Sequence, residues 1–129
     1  RRKMPVRGIR GAIVAAENTK EAILSATREL LLAVIAANDI QPDDVASAWF
    51  TTSPGLTADY PALAARALGW HDVALLCAHE MDVPHGLKKC IRILIHLNTD
   101  KPARAIKHIY LGQAASLRPD RPLPVEAIK

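Results

Sequence analysis

The chain has 129 residues, half of them apolar but only 4% aromatic, so its core must be built from Ala, Val, Ile and Leu, and its length fits one modest domain spanning residues 1–129. The formal charge of +4 is spread along the chain, with none of the basic, aromatic-interleaved stripes or zinc-finger spacings used to bind nucleic acid. Apolar runs are too short to cross a bilayer, Arg1 to Gly11 lacks a secretory apolar segment, and both cysteines lie inside apolar segments, so the expectation is a cytoplasmic protein that binds neither nucleic acid nor membrane.

Val6 to Val14 is predicted as the first strand, with Arg7 and Arg10 breaking its apolar pattern and Gly8 and Gly11 permitting close backbone approach. Asn18-Thr-Lys-Glu21 has the form of a capping box, Asn18 accepting from first-turn amides and Glu21 reaching back. Ile23, Leu24, Leu30, Leu31, Val34 and Ile35 recur with helical period, which predicts a long amphipathic helix to about Ala37 with Asn38 as its left-handed stop. Gln41 to Asp44 is a turn, and Val45 to Thr52 a second strand ending at Ser53-Pro54-Gly55. A shorter Ala-rich helix over Ala58 to Leu68 carries Tyr60 and Arg66. Further strands are expected over about Val73 to Ala78, Lys88 to Leu97 and Ala105 to Leu111, the last two separated by the turn Asn98 to Pro102. From Pro119 onward the chain is rich in proline and is expected to be mobile at its end.

Alternation along the fourth strand separates Ile91, Ile93, Ile95 and Leu97 from Cys90, Arg92, Leu94 and His96. The first row wants a helix packed on it; the second faces solvent or another subunit. Five strands and two helices in this order predict an α+β fold with both helices on one face of the sheet. A core of small side chains also leaves apolar surface for a partner, so an oligomer is expected.

The chemistry concentrates between Cys77 and Arg92, where a thiol, a carboxylate and a guanidinium lie near the ends of two strand-like segments, with Gly86 in the connection. This has the look of an anion site. Arg10 and Arg92, on different strands, can converge on one anion through bidentate contacts, or each can pair with a local carboxylate. Glu80 can accept from a ligand hydroxyl or offset Lys88. His79, His85, His96 and His108 show no paired ligand spacing, so no metal is expected and the histidines are read as surface or interface residues. Cys77 has no assignable base partner, and neither a nucleophile elbow nor a phosphate loop is present. Any reaction must then run on positioned charge and shape.

Taken together, Arg7-Gly-Ile-Arg10-Gly-Ala, Tyr60-Pro-Ala…Arg66, Gly69-Trp70, Cys77…Glu80-Met-Asp-Val, Gly86-Leu-Lys-Lys-Cys-Ile-Arg92 and His108-Ile-Tyr110-Leu…Leu117-Arg118-Pro-Asp closely resemble the small monofunctional chorismate mutases of bacterial type. The resemblance runs from Val6 to about Pro122. It implies a mixed five-stranded sheet assembling as a homotrimeric pseudo-α/β-barrel with sites between subunits. It also implies cofactor-free conversion of chorismate, a dicarboxylate, to prephenate by Claisen rearrangement, in aromatic amino-acid biosynthesis. By the same resemblance Arg92 lies against the breaking ether oxygen, Arg10 binds a substrate carboxylate, and Glu80 with Cys77 contacts the ring hydroxyl. Tyr110 helps hold a carboxylate, Tyr60, Arg66, Leu117 and Arg118 close the pocket, several from a neighbouring subunit, and Leu76 is a substrate-binding position acting through its backbone.

The chain departs from the family pattern at Leu63, where the pattern has a lysine, and at Leu76, where it has a threonine. Two other readings stand at this point: a trimeric deaminase of reactive imine intermediates, and a non-catalytic trimer that binds an aromatic acid.

Overall fold

The computed structural model describes residues 4–118. Five strands, β1 (Val6–Val14), β2 (Val45–Thr52), β3 (Ala74–His79), β4 (Cys90–Asn98) and β5 (Ile109–Tyr110), form one sheet in the order β3-β2-β4-β1-β5. The central strand β4 runs antiparallel to both β1 and β2, while β3 joins β2 and β5 joins β1 in parallel. Helices α1 (Lys20–Asn38) and α2 (Ala62–Ala67) pack on one face, which gives the α+β architecture with a mixed sheet.

The two rows of β4 behave as alternation requires. Ile91, Ile93, Ile95 and Leu97 are buried under the helices with Ile9, Ile13, Ala48 and Phe50, against Ile23, Leu30, Leu31 and Val34 of α1. Each large side chain fully buried there contributes about 1.5–3 kcal/mol relative to exposure. Arg92, Leu94 and His96 point the other way and stay partly open. Gly11 lies on the helix-packed row, where a Cβ would come within 2.9 Å of Ile109 O and 3.1 Å of Leu30 Cδ1. A side chain there would hold off both β5 and α1. At Gly8 the nearest atom would be 3.7 Å away, so no such closeness applies.

Several boundaries differ from expectation, each for a local reason. The cap of α1 is Thr19, whose Oγ1 accepts from Ala22 N–H, because the Asn18 side chain reaches instead to Thr57 and Ala58. The left-handed stop is Asp39 (φ 51°), not Asn38, whose amide is buried and committed to Val34 and Lys107. Helix α2 starts at Ala62 rather than Ala58, since Pro61 disfavours helical geometry at Tyr60. It closes with Gly69 at φ 97° and Trp70 N–H returning to Ala65 O, the bond pattern of a Schellman motif, which seats Trp70 in the core.

Strand β4 begins at Cys90, not Lys88, because Lys89 is left-handed (φ 54°). Strand β5 is two residues long: Ala103–Ala105 forms a 3-10 turn, and the main chain of Lys107 is bound at both ends to Asn38. A further 3-10 turn covers Gly112–Leu117. The mobile tail expected from Pro119 lies outside the described residues. No helix among the described residues is long and apolar enough to cross a membrane.

Candidate active site

Register on the open face of the sheet assembles the site. Ala12 pairs with Arg92 on one side and Tyr110 on the other, and Arg92 pairs with Thr51, which pairs with Ala78. The row therefore reads Tyr110–Ala12–Arg92–Thr51–Ala78. At about 4.8 Å per strand, Tyr110 and Arg92 stand roughly 10 Å apart with only a methyl group between them. Arg10 pairs with Leu94, two residues beyond Arg92 on the same face, a diagonal placement that long side chains can bridge.

At the end of β3, Glu80 N–H donates to Thr52 O at 2.8 Å, and the carboxylate turns onto the open face, where Oε2 lies 3.4 Å from Arg92 Nε. The other oxygen, Oε1, accepts from Met81 N–H at 3.0 Å. Arg10, Thr51, Glu80 and Arg92 line one cavity of about 420 Å³, with Trp49 and Leu94 as its apolar part. Glu80 and Arg92 also line a second cavity of about 600 Å³ against the loop from Met81 to Lys89. Ser53 fixes that loop: its Oγ donates to Leu87 O at 2.7 Å and accepts from Cys90 N–H at 3.0 Å.

Tyr110 is 5% exposed in a small cluster with Ala12, Cys90 and Ala114, against which Val14, Leu87 and Leu117 pack. Its hydroxyl is buried with no hydrogen-bond partner among the described residues, as is that of Thr51. Arg118 follows at the end of the 3-10 turn. Burial pushes the Cys90 thiol above its ordinary value, the nearby Arg92 guanidinium offsetting part of the rise.

The remaining expected site residues lie elsewhere on the subunit. The Cys77 side chain faces the helices, and burial raises its pKa against the lowering effects of Ala62 N–H and Arg66. Cys77 lines a cavity of about 390 Å³ with Asp59, Tyr60 and His79. Because Glu80 N–H points to β2 and amide directions alternate along a strand, the Cys77 N–H lies at the free edge of β3. Tyr60 is 68% exposed and Leu76 52% exposed, while Arg66 sits on the open surface of α2. The Tyr60 loop is clamped by Asn18, whose Oδ1 accepts from Thr57 N–H at 2.9 Å and Ala58 N–H at 3.0 Å.

One subunit thus carries two separate constellations. Arg10, Glu80, Arg92, Tyr110 and Leu117 lie over the open face, Tyr60, Arg66 and Cys77 gather around the outer edge formed by β3 and α2, and Leu76, on that edge strand, turns to the open face opposite Trp49. Thr51 is not expected from the sequence, and neither is the support that Ser53 and Asn18 give to the loops around the site. The signal for Thr51 is its parity in β2, which becomes informative only with the register to Arg92 known. Among the described residues no group of His, Cys, Asp and Glu is arranged to hold a metal ion.

Residues 6–121 match the family model described as chorismate mutase type I. The chain belongs to this family. It is 51% identical over 116 residues to the chorismate mutase AroH of Thermus thermophilus, covering 89% of this chain and 95% of that protein. It is 45% identical over 118 residues to the chorismate mutase AroH of Bacillus subtilis, covering 91% of this chain and 93% of that one. The fold superposes on a chorismate mutase from Clostridium thermocellum with a TM-score of 0.83 at 44% identity, over 84% of this chain and 97% of the other. Family membership decides against the imine-deaminase alternative.

Proposed function

We propose that the chain is a chorismate mutase, acting in aromatic amino-acid biosynthesis, and that its sites form between the subunits of a homotrimer. The observation that carries the reading is the pairing of Arg92 with Glu80 at 3.4 Å in a cavity that Arg10 also lines. Fixed charge is present there without an activated nucleophile. Both thiols are raised above the ordinary value by burial, which keeps them neutral and poorly nucleophilic near pH 7.

The rearrangement of chorismate to prephenate suits such a site. An ether C–O bond breaks as a C–C bond forms within one molecule, so no proton transfer or covalent intermediate is needed. The protein must hold a flexible dicarboxylate in a compact conformer and meet the charge that grows on the ether oxygen. Arg92 supplies that charge, already oriented by Glu80. Arg10 and the Tyr110 hydroxyl take a carboxylate, with the small Ala12 leaving room between Tyr110 and Arg92. Glu80 and the outward-facing Cys77 N–H serve the ring hydroxyl.

The two constellations support a site shared between neighbouring subunits. Cys77, Leu76, Tyr60 and Arg66 at the outer edge of one subunit complete the open-face half of the next. Leu117 and Arg118 close the pocket. In such a dry cleft each charge-assisted bond is stronger than at an open surface.

Loss of chorismate followed by absorbance, with mass analysis of the product, tests the activity. A rearrangement leaves the mass unchanged; unaltered substrate, or a product of different mass, would overturn the assignment. Light scattering on the same sample tests the assembly, and a fully active monomer would overturn the shared site.

A further inference from the structure

We propose that His108 is a positioning residue for Arg10, and through it for the substrate carboxylate, an inference that rests on the reading of Arg10 above. Strands β1 and β5 pair in parallel at Gly11–Ile109 and Ala12–Tyr110, and Leu111 N–H donates to Ala12 O at 2.9 Å. Two residues earlier on both strands, a continuing parallel ladder would have Arg10 N–H donate to Lys107 O. That carbonyl is already engaged. Asn38 Nδ2 donates to it at 2.9 Å, and Lys107 N–H donates to Asn38 Oδ1 at 2.9 Å. The Arg10 N–H is met instead by the imidazole of the next residue, His108 Nδ1 accepting at 3.0 Å.

The ring therefore stands in for a strand carbonyl. An accepting Nδ1 carries its lone pair, which places the proton of the neutral ring on Nε2. The exchange is held in place from behind, since Lys101 Nζ donates to Asn38 O at 2.9 Å and Arg7 Nε to Lys101 O at 3.0 Å. The bond from His108 fixes the main chain at Arg10 beyond the last paired residue of β5, and its own backbone leads directly into Tyr110. Loss of the acceptor leaves the Arg10 amide without this tether, and the Arg10 side chain is then no longer aimed at the carboxylate. Displacement of a binding group by about 1 Å is enough to cost up to roughly 100-fold.

The test uses the full chain with Arg10→Ala, His108→Leu, His108→Asn and the double variant Arg10→Ala/His108→Leu, each with chorismate kinetics and a thermal midpoint. Arg10→Ala is expected to raise KM about tenfold or more, and His108→Leu about five- to tenfold with kcat within about twofold. Asn places Oδ1 where Nδ1 stood and should return KM to within about twofold of the parent. The double variant should be no worse than Arg10→Ala alone, because the two residues act as one unit. Should His108→Leu fail to fold, His108→Gln, whose amide sits one bond too far out, should show the same rise in KM. A rise in KM for Arg10→Ala with none for the His108 variants would overturn the proposal. So would equal impairment of His108→Asn and His108→Leu. No change in KM for Arg10→Ala would instead remove the reading of Arg10, and the proposal with it.

Discussion

The two faces of the sheet are written in alternate residues of the same strands and do opposite things. Toward the helices, Ile9, Ile13, Phe50, Ile91, Ile93 and Ile95 are buried, and little beyond apolar contact is asked of them. Toward the open side, Arg10, Thr51 and Arg92 occupy the intervening positions, with Glu80 set over them. A half-buried carboxylate and guanidinium 3.4 Å apart add little to stability, because their attraction is offset by lost hydration. In the proposed site their use is orientation. The comparison teaches that stability and chemistry are separable here by strand parity, which substitution can test.

The largest effect is expected on the closed face. Phe50→Ala removes a ring buried in the main core and should cost about 3–5 kcal/mol in denaturant unfolding, while kcat per folded molecule stays near that of the parent. A collapse of kcat in the folded fraction would show that the faces are coupled.

On the open face the expectation reverses. If Arg92 meets more negative charge in the transition state than in the ground state, Arg92→Lys keeps the charge but loses the planar fork, and should lower kcat by about 100- to 1000-fold, or about 3–4 kcal/mol, with a smaller change in KM. Replacement by citrulline isolates the charge itself. Near-normal kcat with citrulline would take Arg92 out of the chemistry.

A smaller effect belongs to the 3-10 turn Gly112–Leu117, which packs against the open face. Leu117 packs beside Tyr110 and Cys90 at the close of a 3-10 turn, so a chain ending at Ser116 should bind chorismate more weakly, with KM raised more than kcat is lowered. A cut after Pro124 should be nearly silent. Equal effects from the two cuts would show that the closing segment lies further along.

The smallest effects concern the thiols. Cys77→Ser should retain most turnover, since the proposed site uses its main-chain N–H rather than its sulfur. Both cysteines have folded pKa values raised above 9.0 by burial, so their contribution is fully present below the unfolded value and is lost as pH rises through the folded one. Unfolding free energy should therefore decline above about pH 9, and a Cys77→Ala/Cys90→Ala variant should show a shallower decline. An equally steep fall would assign it to other groups.

Much of this was legible in the residues because the signals are local. Alternation along Cys90–Asn98 places Arg92 opposite the buried row wherever the strand lies, and helical spacing from Ile23 to Ile35 marks α1 without knowledge of its partners. The family pattern, spread over nearly the whole chain, added the activity.

What the sequence did not reveal depends on partners distant along the chain. In sequence Asn18 and Asn38 have the form of a cap and a stop because an amide beside a helix end ordinarily bonds to that end; here Thr57, Ala58 and Lys107 compete for them and win. The commitment of Lys107 to Asn38 shortens β5 to two residues and hands Arg10 N–H to His108. Register, likewise, is what puts Tyr110, Ala12, Arg92 and Thr51 in one row. Which residues turn toward the core can be read along the chain, because side-chain direction in a strand is a local property with period two. Which polar groups meet depends on the packed fold, because a hydrogen bond goes to whichever donor or acceptor comes within about 3 Å.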